Sequence, residues 1–250
     1  MNDNIVILVY THSEYAFIWK AMIPLVEKHC QDVEIHWLFE ETADSELIKS
    51  SVSTRFIQHT YSVDMIWTKR VLKALHEIDS EYILFLHEDW LPIADVKPYI
   101  LLEMINFMKK YNSSHLLSYS HISTTSRQEG VPTNHENYYF YFENNHIFQP
   151  AIWEKRVFID FCTVLNKHKH ENEDRECLNF MSSKNCTSVQ NLATVTTLRT
   201  TNSLFFPHMH ALSQGLWNFT KYPTLKKFLE TFDINTEDRG VHPWWELDTQ

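Results

Sequence analysis

With 250 residues, 44% hydrophobic and 14% aromatic, the chain can bury a large core and is globular rather than disordered. A formal charge of -10, from 32 acidic and 22 basic residues, disfavours a nucleic-acid binder, which shows a basic face, but admits a phosphate-bearing ligand whose charge a metal neutralises. Three glycines are too few for the phosphate loops of Rossmann enzymes or P-loop NTPases, and four cysteines without paired spacing make neither a zinc site nor a disulfide scaffold.

Reduced thiols and a cytoplasmic location are therefore expected. No signal-peptide pattern precedes Asn4, and no apolar run approaches the roughly 20 residues of a membrane span. Glycosylation-type triplets beginning at Asn112, Asn185 and Asn218 then lack a secretory context.

Ile5 to Tyr10 is a continuous apolar run, typical of a central parallel strand, and stops at the polar turn Thr11-His12-Ser13-Glu14-Tyr15. Phe17, Ile18, Ala21, Met22, Leu25 and Val26 recur at helical spacing, with Pro24 expected to kink or shorten that helix. Val33 to Phe39 predicts a second strand ending at Glu40, which completes a right-handed βαβ unit. Arg55 to Ile57 predicts a short third strand. Ser62 reads as the N-cap of a helix whose apolar face runs from Val63 through Trp67 and Val71 to Ile78. Further along, the pattern predicts a helix over 94–110, a short strand over 114–119 and an irregular excursion or hairpin over 120–145. Pro150 opens a helix in this reading, striped by Ile152, Trp153, Val157, Phe158, Phe161, Cys162 and Leu165. A charged stretch over 168–176 precedes a short helix through Leu178 and Met181. Ser203 to Phe206 predicts a late strand, and Pro223 a last helix.

Between these elements lies the stretch with the most chemistry. Tyr82-Ile83-Leu84-Phe85-Leu86 predicts a buried strand that breaks off at His87, Glu88 and Asp89. Open α/β sheets bind ligands beyond the carboxyl ends of their strands, and adjacent carboxylates there can hold a hard divalent cation through oxygen. An acidic turn closing a core strand has the same local pattern. Trp67 and Arg70, at i and i+3, share a helix face, and Arg70 can pair with a phosphate, although Trp67 also reads as core. Glu173-Asp174 fits a catalytic carboxylate pair or an acidic helix start favoured by the macrodipole.

A first strand ending in a polar turn, a second ending in acidic residues, a helix, then a strand ending in a carboxylate pair: this order resembles the GT-A fold of nucleotide-sugar glycosyltransferases. The resemblance implies an α/β fold class, one GT-A-like domain over 1–250 with a mixed, mostly parallel central sheet flanked by helices. Residues 1–110 would form the nucleotide-sugar half and 111–250 the acceptor half. His87-Glu88-Asp89 stands where the family's Asp-x-Asp motif binds a divalent metal that bridges the donor diphosphate. Histidine replaces the first carboxylate, which leaves Asp89 as the direct ligand, with His87 and Glu88 beside the donor. His208-Met209-His210 stands where GT-A proteins often supply a last metal ligand, one of the two histidines being expected to reach it. Tyr10, Thr11, His12 and Glu40 match the family's base and ribose positions, and Trp67 and Arg70 complete the expected donor pocket.

Glu173-Asp174-Arg175-Glu176-Cys177-Leu178 resembles the Glu-Asp-x-Glu-Leu stretch of inverting GT-A enzymes. That implies Asp174 as the base, with Glu173 or Glu176 on acceptor hydroxyls. Gly215 to Asn218 and Asp238-Arg239-Gly240 are similar to segments of small glycosyltransferases of viral and bacterial surface-glycan pathways. The expected function is transfer of a sugar from a UDP-, GDP- or dTDP-linked donor to a glycan or other hydroxyl acceptor, assisted by Mn2+ or Mg2+. The tyrosines at 138, 139 and 141, with Trp153, are candidates to stack on acceptor sugars. Two alternatives stand beside this. A sugar-phosphate nucleotidyltransferase shares the half-fold but has a glycine-rich loop after strand one. A non-catalytic glycan-binding module would need neither acidic pair.

Overall fold

Along β1 (Ile5–Tyr10), Val6, Leu8 and Tyr10 join one hydrophobic layer while Ile7 and Val9 join the other, the period of two that a strand imposes. The computed structural model describes residues 5–41, 56–118, 131–132, 134–135, 138–142, 150–167, 186–191, 205–213 and 215–242. After β1 come α1 (Ala16–His29), β2 (Glu34–Glu40), β3 (Phe56–Tyr61), α2 (Trp67–Glu77), β4 (Tyr82–His87), β5 (Trp90–Pro92) and α3 (Pro98–Lys110). β6 (His115–Ser118), β7 (Val131–Pro132), β8 (Tyr138–Phe142), β9 (Ala151–Glu154), α4 (Lys155–Lys167) and β10 (Cys186–Asn191) follow. Three short strands, β11 (His208–His210), β12 (Leu212–Ser213) and β13 (Leu216–Trp217), and α5 (Leu225–Glu230) end the described chain.

Among the described residues the main sheet has nine strands in the order β3-β2-β1-β4-β9-β6-β10-β8-β7. Its β3-β2-β1-β4 run is parallel throughout. Antiparallel pairing enters with β9, which lies between β4 and β6. The mixed sheet flanked by helices expected from the sequence is therefore present, parallel over the half that carries the cleft. α1 and α3 cover one face through Trp19, Met22, Val26, Leu101 and Met104. α2 and α4 cover the other through Val71, Leu75, Phe158 and Phe161. Both faces of β1 and β4 are thus dry, which explains why their sequences are apolar without interruption.

Strand order reverses between β1 and β4. The chain moves outward from β1 to β2 and β3, then α2 carries it back to the far side of β1. Residues at the carboxyl ends of β1 and β4, Tyr10 and His87, are in register, so the reversal leaves a crevice there for a ligand.

Several sequence expectations shift. α1 runs through Pro24 without ending there; the proline is solvent-exposed, as is Lys20, whose carbonyl it leaves without its helical partner. Ser62 closes a turn, accepting from the Met65 amide (3.1 Å), and α2 begins only at Trp67. The helix expected from 94 starts at Pro98, the first-turn position that suits proline. Residues after Pro150 form β9 before α4 begins. The late strand lies at His208–His210 rather than over 203–206, whose described part, Phe205 and Phe206, is buried non-strand chain. The hairpin reading of 120–145 holds for β7 and β8, which pair antiparallel. The short helix expected through Leu178 lies outside the described residues.

Candidate functional site

β4 ends with its side chains still alternating between the two core layers, so His87, Glu88 and Asp89 emerge at the crevice in three different settings. His87 touches the Tyr10 ring edge-on at 5.5 Å, and burial lowers its pKa. Glu88 is 3% exposed. Its Oε1 accepts the His12 amide at 2.9 Å, which ties the loop after β1 to the end of β4. Burial, and then the charge of Asp89, push its pKa well above the ordinary carboxylate value. Asp89 is more open, with 19% of its side chain exposed.

Opposite Asp89 stands β11. It pairs antiparallel with β5, His210 facing Trp90, and the Ala211 amide donates to the Asp89 carbonyl at 2.7 Å. This register carries His210 Nε2 to within 3.0 Å of Asp89 Oδ2. The His210 ring stacks on Trp90 with centroids 4.0 Å apart and planes 6° apart, which fixes its orientation. His208 lies on the same side of the strand, as i and i+2 residues do, and it too touches Trp90, at 4.8 Å. The two histidines differ in depth rather than in face. His208 is fully buried, its Nδ1 sits 2.6 Å from the Phe206 carbonyl, and burial lowers its pKa to about 3. It therefore acts as a core residue, and of the two only His210 meets Asp89.

The far wall is the loop Thr11 to Tyr15. His12 caps the 3-10 turn Ser13–Tyr15, its Nδ1 accepting from the Glu14 amide at 3.2 Å. That leaves Nε2 as the protonated nitrogen, 3.6 Å from Glu40 Oε1. Behind the loop, Glu40 is 1% exposed and accepts from the Ser13 amide at 2.9 Å and from the Arg70 guanidinium. Arg70, also buried, donates to the Tyr10 hydroxyl at 2.8 Å. Burial pushes the Glu40 pKa up, but the hydrogen bonds from Ser13 and the Arg70 contact outweigh it, and the net shift is downward. Burial raises the Tyr10 pKa.

The resulting cleft of about 310 Å³ is lined by Tyr10, His12, Glu14, Tyr15, His87, Glu88, Asp89, His210, Leu212, Ser213 and Gly215. Tyr10, His12, His87, Glu88, Asp89 and His210 are thus brought together as expected. Glu40, Arg70, Thr11 and Trp67 are not on its wall. Thr11 is buried and gives its hydroxyl to the Leu38 carbonyl at 2.7 Å. Trp67 packs edge-on against Tyr10 at 6.3 Å. Trp153, expected near an acceptor, is 1% exposed and stacks on Phe158 within the core at 4.8 Å. Asp174 and Glu173 lie outside the described residues, and the tyrosines at 138, 139 and 141 are placed only as members of β8.

Sequence reasoning missed Tyr15, Ser213 and the role of Gly215. Gly215 adopts φ +78°, a backbone region that side chains disfavour, and its carbonyl accepts from Arg239 Nη1 at 3.3 Å. Arg239 also covers the Phe17 ring at 4.4 Å and the Tyr15 ring at 5.6 Å. An isolated glycine in a glycine-poor chain was the available signal.

A divalent cation is tested by the donor set. Asp89 Oδ2 and His210 Nε2 stand 3.0 Å apart, a hydrogen-bond distance that is also about the spacing of adjacent ligands on an octahedral ion with bonds of about 2.1 Å, so a cation would take the place of the shared proton. No group of three or more histidine, cysteine or acidic side chains placed to hold an ion occurs among the described residues. One carboxylate and one imidazole would leave most of an ion's shell to ligand oxygens and water.

No family model and no curated protein matches this chain. Solved structures do. TarS 1–349 of S. aureus in complex with UDP matches with TM-score 0.49 and 12% identity, over 94% of this chain and 66% of that one. The 4-diphosphocytidyl-2C-methyl-D-erythritol synthase of Anaerococcus prevotii matches with TM-score 0.46 and 13% identity, over 74% and 85%. A CMP:2-keto-3-deoxy-manno-octonic acid synthetase complexed with CTP gives 0.47 and 11%, over 74% and 88%. The chain spans 35% of a longer TarS structure. Likenesses this slight carry no inference about chemistry here. Among the described residues, no helix is long and apolar enough to cross a membrane.

Proposed function

We propose that the chain is a glycosyltransferase that moves a sugar from a nucleoside-diphosphate donor to a hydroxyl acceptor. One observation carries the reading: Asp89 and His210 converge, 3.0 Å apart, at the crevice where the strand order reverses, beside the loop after β1. The donor's diphosphate belongs at that pair and its nucleoside along Tyr10, His12 and Tyr15. A divalent cation, when bound by Asp89 and His210, supplies charge stabilisation for the leaving diphosphate. Glu88 holds the loop in place through the His12 amide, and Arg70 and Glu40 hold it from behind through Ser13 and Tyr10.

Calorimetric titration of uridine, guanosine and thymidine diphosphates, with and without Mn2+, tests it. One of them should bind in a metal-dependent way, and Asp89→Asn should abolish the metal-dependent part while the far-ultraviolet spectrum is unchanged. Binding and transfer that persist in chelator would remove the cation from the proposal. For the base, Asp174 is the proposal. A positioned carboxylate can take the acceptor hydroxyl's proton, and Asp174→Asn should slow turnover by about 100-fold or more with donor affinity unchanged. Loss of donor affinity in step with turnover would make Asp174 a binding residue instead, and a product retaining the donor's anomeric configuration would rule out single displacement.

A further inference from the structure

Away from the cleft, four titratable side chains form an unbroken row across β2, β3 and α2. Glu34 Oε1 lies 2.8 Å from His36 Nε2. His36 Nδ1 lies 2.9 Å from His59 Nε2, and His59 Nδ1 lies 2.8 Å from Glu77 Oε2. The Tyr61 hydroxyl donates to the other Glu77 oxygen at 2.9 Å. Both histidines are buried, 3% and 5% exposed, whereas the two glutamates reach solvent. The imidazole rings lie end to end: their planes are 21° apart with centroids at 5.2 Å, and the two inner nitrogens point at each other.

Counting protons along the row gives an imbalance. Each of the three gaps needs one hydrogen. A neutral imidazole carries one N–H, and an ionised carboxylate carries none. Two neutral histidines therefore supply hydrogens for two of the gaps and leave the third with lone pairs facing each other, in the middle at 2.9 Å when both rings turn their N–H outward. The row is complete only when it holds one proton more. With two extra protons the inner gap would instead contain two opposed N–H groups.

We propose that His36 and His59 share one proton, and that this proton is a pH-operated latch fastening α2 to β2 and β3. The groups facing the pair are Glu34 from β2 and Glu77 from α2, and Glu77 in turn meets Tyr61 from β3 and the charge of Lys73 from α2. Two carboxylates offset the cost of the buried positive charge. Burial lowers the His36 pKa, against the hydrogen bond to Glu34, and the charge on His59 lowers it further, which disfavours a second proton on the pair. A tetrahedral metal in the same gap would hold the nitrogens about 3.3 Å apart at bond lengths near 2.0–2.1 Å, wider than the 2.9 Å found.

The latch bears on the cleft because its elements do. α2 is held at its end by Glu77 and at its start by Arg70, whose guanidinium meets Glu40 and Tyr10. β2 likewise carries His36 in the row and Glu40 behind the cleft loop.

The sign of the pH dependence follows from the proton count. Above the ordinary histidine pKa near 6.5, the unfolded chain loses its histidine protons while the folded row keeps one, so stability falls as pH rises. Below 6.5 the unfolded chain binds two and the folded row one, so stability falls again as pH drops through the lowered His36 value.

His59→Gln tests this. The glutamine amide carries two N–H groups, one for His36 and one for Glu77, and needs no extra proton. Denaturant unfolding from pH 5.5 to 9 should give a wild-type maximum near pH 6.5. On the alkaline side the wild-type folding constant should fall about tenfold more per pH unit than that of His59→Gln, the slope of one proton, until the shared proton leaves. Nitrogen-15 and proton spectra of the wild type should show one strongly deshielded N–H shared by two inequivalent imidazoles near neutral pH, absent from His59→Gln. Parallel stability profiles for the two proteins, or two neutral imidazoles without a shared proton from pH 6 to 8, would overturn the proposal. So would stoichiometric zinc on the pair whose removal by chelator changes the imidazole spectra. If His59→Gln does not fold, the wild-type spectra decide alone.

Discussion

Glu40 and Arg70 show how residue depth decides role. Each is buried and each has the other as partner, so removing one leaves an uncompensated charge in the core, a change that costs about 3–5 kcal/mol. Arg70→Met should therefore lose stability of that size in urea unfolding, although methionine keeps much of the apolar stem of the arginine. The Glu40 pKa is lowered from 4.5; its contribution is complete above that value and is lost as pH falls through the lower folded value. The gap between wild type and Arg70→Met should accordingly close in acid, and a gap constant down to pH 3 would show that the pair contributes through packing alone. Spacing correctly put Trp67 and Arg70 on one helix face. It carried no information about whether that face looks into the cleft or into the layer beneath it, because helical periodicity reports direction and not depth. His87-Glu88-Asp89 was legible for the opposite reason: polar residues that break off an apolar strand mark its carboxyl end, where Asp89 opens to the cleft while Glu88 stays buried.

Elements were legible where sequence period and tertiary demand agreed. β1 and β4 are dry on both faces and read as apolar runs. β9 is also buried on both faces, with Ile152 in one layer and Trp153 in the other, but four residues of strand directly before a helical stripe merge with it. Only the need of β4 and β6 for a strand between them settles the assignment, and that need is not local. α1 offers a test of what Pro24 costs. Proline in a helix interior removes one backbone bond and is about 3 kcal/mol worse than alanine, but here it lies on the solvent side, and its rigidity also restrains the unfolded chain. Pro24→Ala should thus stabilise by on the order of 1 kcal/mol, seen as a higher urea midpoint at unchanged slope. A lower midpoint would mean that the bend it imposes is needed for Met22, Leu25 and Val26 to reach the sheet.

At the scale of the molecule, the cleft is a product of topology. β1 and β4 are neighbours only because α2 returns the chain across β1, and the donors from β4 meet His210 only because β11 comes back, 121 positions later in the chain, to pair with β5. A ligand that bridges these pieces binds the folded state alone and stabilises it by linkage, by about 2.7 kcal/mol at one hundred times its dissociation constant. A chain of this length gains about 2–4 °C in melting temperature per kcal/mol, so the right nucleoside diphosphate with Mn2+ should raise the midpoint by roughly 5–10 °C. The nucleoside monophosphate should give a smaller shift that does not depend on the metal, because it reaches Tyr10 and His12 without bridging Asp89 and His210. His210→Ala should bring the diphosphate down to that smaller shift, whereas His208→Ala should lower the starting midpoint through the cavity it leaves and preserve the increment. Equal increments for diphosphate and monophosphate, or an increment lost with His208 and kept without His210, would place the phosphates elsewhere on the molecule.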